Sequence, residues 1–554
     1  MKIPFLRYTF LFFPLLLASG AFAQVNPQPT TPPGTLTEEI EVVRPYKPVL
    51  ADAVKIRRSP DLKNEQPYKP VLTYTIVDKK LELNSNIKEL EAQKMADEQE
   101  VVLSNNYAKG AAGSSGTTLG EVYMNTGSDQ ALQAGAFFKH LSQQGDQDRQ
   151  QFSNQQLGIF GRSVSDSYSL SGKLMYDRRS TFFYGYNPLS SIAVDMDKQR
   201  FGTIIGQVDM MNNYAESSTL DYALNLKAYQ FNNIDEGSES TVILGGSVNK
   251  VINLLNIGVN ASADLTAVKD VAYKSGNNIV RANPYVKLQG KGFILNIGAN
   301  IVQEFGDLSR TNVFPAVSAE IPVVTDYAIL FGGVNGDILK TSLRDLSMEN
   351  PYLSKNISIT NSVEKMNIYA GIKGNAGAEF GYKVMGFYKT VDDLLLFVNN
   401  PTVINRFDAI YDKGNSKIFG LNGQFNVKAS DVLGFTGKAE IYNYELENEK
   451  EAWFKPTLRL TSNVRFDLNE KVIIDGEILF QGETSAKTPG PASAPVSIVK
   501  LKSFMDVSAG AEYRINKQFG VFLRANNLLG KSYQKYLYYS KLGLTLFGGL
   551  NYSF

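Results

Sequence analysis

Residues 541–554 read K-L-G-L-T-L-F-G-G-L-N-Y-S-F. Leu542, Leu544, Leu546, Gly548, Leu550, Tyr552 and Phe554 share one parity; Lys541, Gly543, Thr545, Phe547, Gly549, Asn551 and Ser553 share the other. In a β-strand the two parities are opposite faces. One face here is almost wholly apolar and the other mostly small or polar. A single strand of a soluble sandwich could read this way. Repeated strand after strand, the pattern is that of a transmembrane barrel, apolar toward lipid and polar toward the lumen.

Working back from that terminal strand, the alternation repeats at 505–515, 472–481, 458–466 and 419–427, with charges confined to one parity in each segment. On that parity lie Lys438, Glu440, Arg459, Arg465, Asp475, Glu477, Asp506, Glu512, Arg514 and Arg524, which are therefore read as lumen-facing. From residue 104 onward the segments number about 22 (a range of about 16 to 22), each near the length that crosses a bilayer at a tilt. The expected class is all-β, an antiparallel transmembrane barrel. Alternation alone does not separate it from a sandwich, but the connections do. Short ones fall at 125–130, 164–167, 212–218, 289–292, 322–326, 375–378, 428–431, 467–471 and 514–518, with a tight one near Ile252. Long ones fall between them at 177–199, 268–278, 340–359, 390–415, 484–499 and 529–540. Short periplasmic turns and long surface loops alternate this way in outer-membrane barrels. The connection at 113–116 is the exception, short where a long one is due.

Composition narrows the function. The 554 residues carry 56 basic and 55 acidic side chains, so nothing marks a nucleic-acid or polyanion binder. With no cysteine and a single histidine, His140, disulfides, thiolate metal sites and His-rich clusters are excluded, and no cofactor is expected. His140 on a strand end lacks the partners that nucleophilic catalysis needs, so no catalytic or metal residue is assigned. Aromatic clusters at 176–186 and 533–539 read either as a peptide or glycan platform or, preferably, as the outer aromatic girdle.

The N-terminus divides into three. Residues 1–23 form a secretory leader, with Lys2 and Arg7, an apolar core and an A-x-A-like site at 21–23. Residues 24–103 form an extended, periplasmic linker segment, and 104–554 the barrel. Within the linker, P-Y-K-P-V-L occurs twice, at 45–50 and 67–72. The prolines stiffen both copies, so Pro45, Tyr46, Lys47, Pro48 and Pro67, Tyr68, Lys69, Pro70 read as a docking strap or as a plain linker. Residues 87–99 have the propensity of a short helix.

A family resemblance follows from particular residues. N-S-K-I-F-G-L at 415–421, R-A-N-N-L-L-G-K-S-Y at 524–533 and the terminal N-Y-S-F resemble the C-terminal barrel of TonB-dependent receptors. Glu39, Ile40, Glu41, Val42 and Val43 resemble that family's energy-coupling box. The resemblance implies an outer-membrane location, lipid and periplasmic proteins as partners, TonB among them, and Tyr552 and Phe554 as the C-terminal assembly signal. The family places a globular plug ahead of its barrel, and no plug-like pattern stands in residues 24–103. A 22-stranded barrel is ~40–45 Å across, so inward loops, the N-terminal segment or another protein must fill it. The preferred expectation is a non-enzymatic subunit or scaffold of an outer-membrane complex; the alternative is a transporter gated by its N-terminal segment.

Overall fold

The computed structural model describes residues 106–554, apart from 127–130, 187–195, 214–219, 291, 325–326, 378, 470 and 490–495. The leader, the coupling-box-like residues, both P-Y-K-P-V-L copies and the helix at 87–99 lie outside the described residues. Twenty-two antiparallel strands form one sheet. The first, Tyr107–Gly113, pairs on one side with Thr118–Asn125 and on the other with the last, Thr545–Ser553, so the sheet closes on itself. At that seam the Phe554 amide donates to the Asn106 carbonyl at 2.9 Å. Among the described residues no helix is long and apolar enough to cross a membrane.

Long and short connections alternate as the sequence predicts from Ala328–Leu339 onward; before it only 183–197 is long, and the other connections on that side, 114–117, 145–150, 234–237, 270–273 and 307–309, are as short as the turns at the opposite end. A two-residue turn joins Ser238–Ile252 to Leu255–Lys269, with Asn253 at φ 55°, a left-handed geometry asparagine tolerates. One expectation needs correction. The connection placed at 268–278 is only 270–273, because Leu255–Lys269 and Lys274–Gln289 run on as paired strands beyond their apolar stretch. Lys269, Asp270 and Lys274 resemble a loop in composition, yet the ladder continues through both lysines.

The wall is inside out. In the terminal strand Leu546 is 46% and Leu550 61% exposed, whereas Thr545 and Phe547 are 2% and 3% exposed. Ile204, Leu224, Leu244, Val313, Leu421 and Leu523 are likewise exposed, as a lipid-facing surface requires. Cross-strand ion pairs show which face is concave. Arg281 reaches Asp337 at 3.1 Å, although two whole strands, Ile294–Gly306 and Arg310–Val324, lie between theirs. On a flat sheet those backbones stand ~14 Å apart. Side chains converge over that distance only on the inside of a curved wall, so the charged parity faces the interior.

Candidate functional site: the loop cap and the lumen beneath it

The described residues of six long connections gather at the outer mouth, at 183–186 with 196–197, 340–361, 393–415, 446–457, 482–489 with 496–503, and 527–544. Their apolar residues build a core of their own. Trp453, Phe407 and Leu396 are fully buried, packed with Tyr184, Tyr536 and Tyr539 from two other stretches of loop. Phe407 meets Phe454 edge-on at 5.5 Å and Tyr536 at 5.4 Å, and Tyr352 stacks on Tyr539 at 3.5 Å. Such contacts between rings add about 0.5–1.5 kcal/mol each to the burial itself.

Tyrosines then tie loop to loop. The Tyr184 hydroxyl donates to the Ser540 carbonyl at 2.9 Å, Tyr411 to Ser358 at 2.9 Å and Tyr536 to Glu349 at 2.8 Å. Tyr273 reaches Ile357 and Tyr539 reaches Asn405 in the same way. These rings sit in an apolar core with their one polar atom satisfied by another loop's backbone, the arrangement that buried tyrosines need. Burial raises the Tyr352 and Tyr539 phenols well above their usual range. The aromatic clusters expected to form the outer girdle are thus divided. Tyr176 does face lipid, while Phe183, Tyr184, Tyr536 and Tyr539 belong to the buried interior of the mouth.

The cap reaches down into the barrel. The helix Leu343–Glu349, here α1, has Ser342 as N-cap, whose Oγ accepts the Asp345 amide at 2.9 Å. Leu343 packs on Phe201, Tyr229, Phe231 and Val268, all residues of the inner wall. The Glu239 carboxylate accepts the Leu343 amide at 2.6 Å and the Tyr229 hydroxyl at 2.6 Å. Asn361, at the end of the same connection, bonds Asn277 and Glu304 of the wall. A second inward element is the hairpin of Leu394–Asn399 and Phe407–Asp412, whose Leu394 packs against the wall residues Phe331, Met385 and Phe387.

Asp412 holds the base of that hairpin. It is 1% exposed and accepts the backbone amides of Glu447, Asn448 and Glu449 at 2.8, 2.9 and 2.9 Å, together with the Ser416 hydroxyl. Burial by itself raises this carboxyl; the four hydrogen bonds outweigh it and hold the group below the usual carboxylate range.

Beneath the cap the sequence-assigned charges fall into separate small groups. The register puts all ten on one face. Lys438 pairs with Glu440 at 2.8 Å, Arg465 with Asp467 at 3.6 Å, Arg524 with Asp475 at 3.1 Å and Arg514 with Glu512 at 3.6 Å. The Tyr533 hydroxyl donates to Asp506 at 2.7 Å. Glu477 lies opposite Asn463 and Ser508, and Arg459 lines a narrow cleft under the cap with Glu349, Trp453, Gln481 and Lys535. At the opposite rim Tyr552 stacks between Phe519 and Phe554 at 4.6 and 5.6 Å. A second inward set, not singled out from sequence, includes Lys373–Glu320, Lys389–Glu364 and Arg310–Asp393. For all of them but Asp393, which lies in a connection, parity within the strand is the signal that could have found them. Among the described residues no group of three or more His, Cys, Asp or Glu is placed to hold a metal ion.

No family model matches the chain, and no curated protein matches it in sequence. Solved structures do match in shape. The ferripyoverdine receptor of the Pseudomonas aeruginosa outer membrane gives a TM-score of 0.63 at 12% identity, over 81% of this chain and 72% of that one. The ferric-catecholate import receptor Fiu of E. coli K12 gives 0.62 at 9% identity, over 81% and 82%. The FrpB iron transporter of Neisseria meningitidis gives 0.62 at 11%, also over 81% and 82%. The chain has the 22-stranded barrel fold of the TonB-dependent-receptor-like outer-membrane proteins.

Proposed function

We propose that this chain is a non-enzymatic outer-membrane transporter for a polar solute, closed to the outside by its loop cap and gated from the periplasm by residues 24–103. One observation carries the reading: among the described residues the mouth of a wide, charge-lined barrel is filled by connections, the parts that can move without breaking a rung of the sheet. The fold it shares with an import receptor and an iron transporter supports transport over the scaffold reading. In this reading the ten inward charges line the solute path. Glu39 to Val43 recruit TonB, and Tyr552 and Phe554 mark the terminal strand for assembly. The segment 24–103, released from its leader at residue 23, is the inner gate.

Planar-bilayer conductance tests it. The full-length barrel is expected to be nearly silent. Deleting residues 24–78 and loosening the cap with Phe407→Ala together give a large, steady conductance, and either change alone gives less. The scaffold reading predicts otherwise: Tyr46→Ala with Tyr68→Ala loses a co-purifying partner, while the doubly opened barrel conducts no more than the intact one. That result overturns transport.

A further inference from the structure

The outward face of the wall changes character at its outer end, and does so on one sector only. Six consecutive strands form that sector, from Tyr168–Phe182 through Lys198–Asn212, Leu220–Asn233, Ser238–Ile252 and Leu255–Lys269 to Lys274–Gln289. Their outward parity is apolar through Tyr176, Ile204, Leu226, Val242, Leu265 and Val280. Above that belt the same parity of the strands carries Arg178, Lys198, Arg200, Lys269 and Lys274 and no carboxylate, the nearest exposed one in the sector being Glu236 in the 234–237 turn.

Two of these lie side by side, Lys269 directly opposite Lys274 in the ladder. Arg178 and Arg200 sit on neighbouring strands, and Lys198 faces Phe182, whose ring also carries the Arg149 guanidinium at 5.4 Å. None of the five makes an ion pair among the described residues. Asp177, next in sequence to Arg178, turns inward to Arg179 at 3.3 Å, and Asp197, beside Lys198, pairs with Arg406. Asp146 and Asp148, in the turn that holds Arg149, make no ion pair among the described residues either. Hydroxyls and amides fill the gaps, with Gln155 accepting from Arg178 at 3.1 Å and Ser153 bonding Ser180 at 3.1 Å.

The other sector differs. Exposed cations near this height there are matched, Lys417 by Glu445 at 2.9 Å and Lys365 by Asp392 at 3.1 Å. Like charges gathered without counter-ions repel one another, and here they stand where the apolar belt meets the outer leaflet's headgroups.

We propose that this sector is a docking surface for the phosphorylated headgroup of an outer-leaflet glycolipid. The cations meet its phosphates, the amides and hydroxyls its sugar, and the belt below its acyl chains. Charge complementarity commits the surface to that occupant over a protein. Continuity with the lipid-facing belt commits it to a lipid rather than to free phosphate. The proposal does not depend on transport.

The test uses the full chain in nanodiscs containing one-tenth bis-phosphorylated lipid A, with bound lipid counted by native mass spectrometry. Each cation removed is expected to weaken retention about fivefold, so Arg178→Gln, Lys198→Gln and Arg200→Gln together lower it on the order of a hundredfold. Arg178→Lys with Arg200→Lys restores most of it. Wild-type protein loses dephosphorylated lipid A to the same degree as the triple variant loses the phosphorylated form, and millimolar inorganic phosphate does not compete. Heat-modifiable migration on gels confirms that each barrel is folded. Equal retention by the triple variant overturns the proposal, as does an equal loss on Lys417→Gln at the far sector. Displacement by inorganic phosphate alone overturns its lipid assignment.

Discussion

The cap and the wall solve opposite problems with the same residue types. In the cap, Trp453, Phe407, Leu396 and Tyr536 turn inward on one another, as in any water-soluble domain. Below it, Leu421, Leu523 and Ile204 turn outward and the charges turn in. Burial in this molecule therefore follows the local solvent. Where the chain meets water it builds an apolar centre; where it meets lipid it leaves apolar groups on the outside and satisfies polar ones within. The two regions should then fail independently, and this can be tested.

The largest effect is expected in the cap. Phe407 is 0% exposed and touches aromatic rings from two other stretches. Phe407→Ala should cost about 3–5 kcal/mol of cap stability. Hydrogen exchange should rise through 340–361 and 393–415 while strand amides below stay protected. Uniform loss of protection in both would mean that cap and wall are one cooperative unit.

The wall answers to a different substitution. Leu550→Arg places a charge on the most exposed apolar position of the last strand and should cost about 2–4 kcal/mol if it lies at the bilayer midplane. Refolding into vesicles from urea measures it. Leu550→Ala, which keeps the face apolar, should cost far less, whereas Phe407→Ala is severe. Truncation to alanine thus injures the cap and spares the wall, and a similar cost for both would erase the distinction.

How much was legible in the sequence follows from the same contrast. The wall could be read because a period of two, repeated with turns at regular intervals, fits hardly any architecture but a barrel. In the terminal strand both faces came out correctly residue by residue. Its inner face looked wet, though, and Thr545 is closed in at 2% exposure, so Thr545→Arg should not be the harmless control that parity alone implies. The cap could not be read. Its core joins residues such as Tyr184 and Tyr539, hundreds of positions apart, in loops with no period at all. Aromatic density in the loops is the one visible sign, and it reads as a girdle because lipid is the only apolar surrounding that a barrel sequence brings into view. Trp453, isolated in sequence, sits at the cap's centre with its Nε1 donating to Glu449 at 2.8 Å.

A smaller effect separates the regions by pH. Asp412 lies in the cap, and its folded pKa is held below the unfolded value of about 3.9. Its contribution is therefore complete above that value and is lost as pH falls through the folded pKa. Asp412→Asn should cost about 1.5–3 kcal/mol at neutral pH, since the amide keeps one acceptor but not the charge that three backbone amides and Ser416 address. Exchange in 407–412 and 446–450 should then become insensitive to acid, while the wild type loosens there below about pH 4. Acid sensitivity that survives the substitution would place the titrating group elsewhere.

The finest division lies among the tyrosine ties. Tyr273→Phe removes one hydroxyl from the bond between the 270–273 turn and the Ile357 carbonyl and leaves the ring in place. A neutral bond of this kind contributes about 0.5–1.5 kcal/mol. Tyr273 stands on the wall side of the boundary and Ile357 on the cap side, so this tie couples the two regions, whereas Tyr536 to Glu349 joins cap to cap. If cap and wall are separate units, Tyr273→Phe should speed exchange in 354–361 and leave the 393–415 hairpin almost unchanged. Tyr536→Phe should speed both. In the double variant the two losses should add, because the bonds share no partner. Strong coupling between them would mean that the connection 340–361 moves as one rigid piece, making α1 and its following loop the hinge on which the whole cap turns.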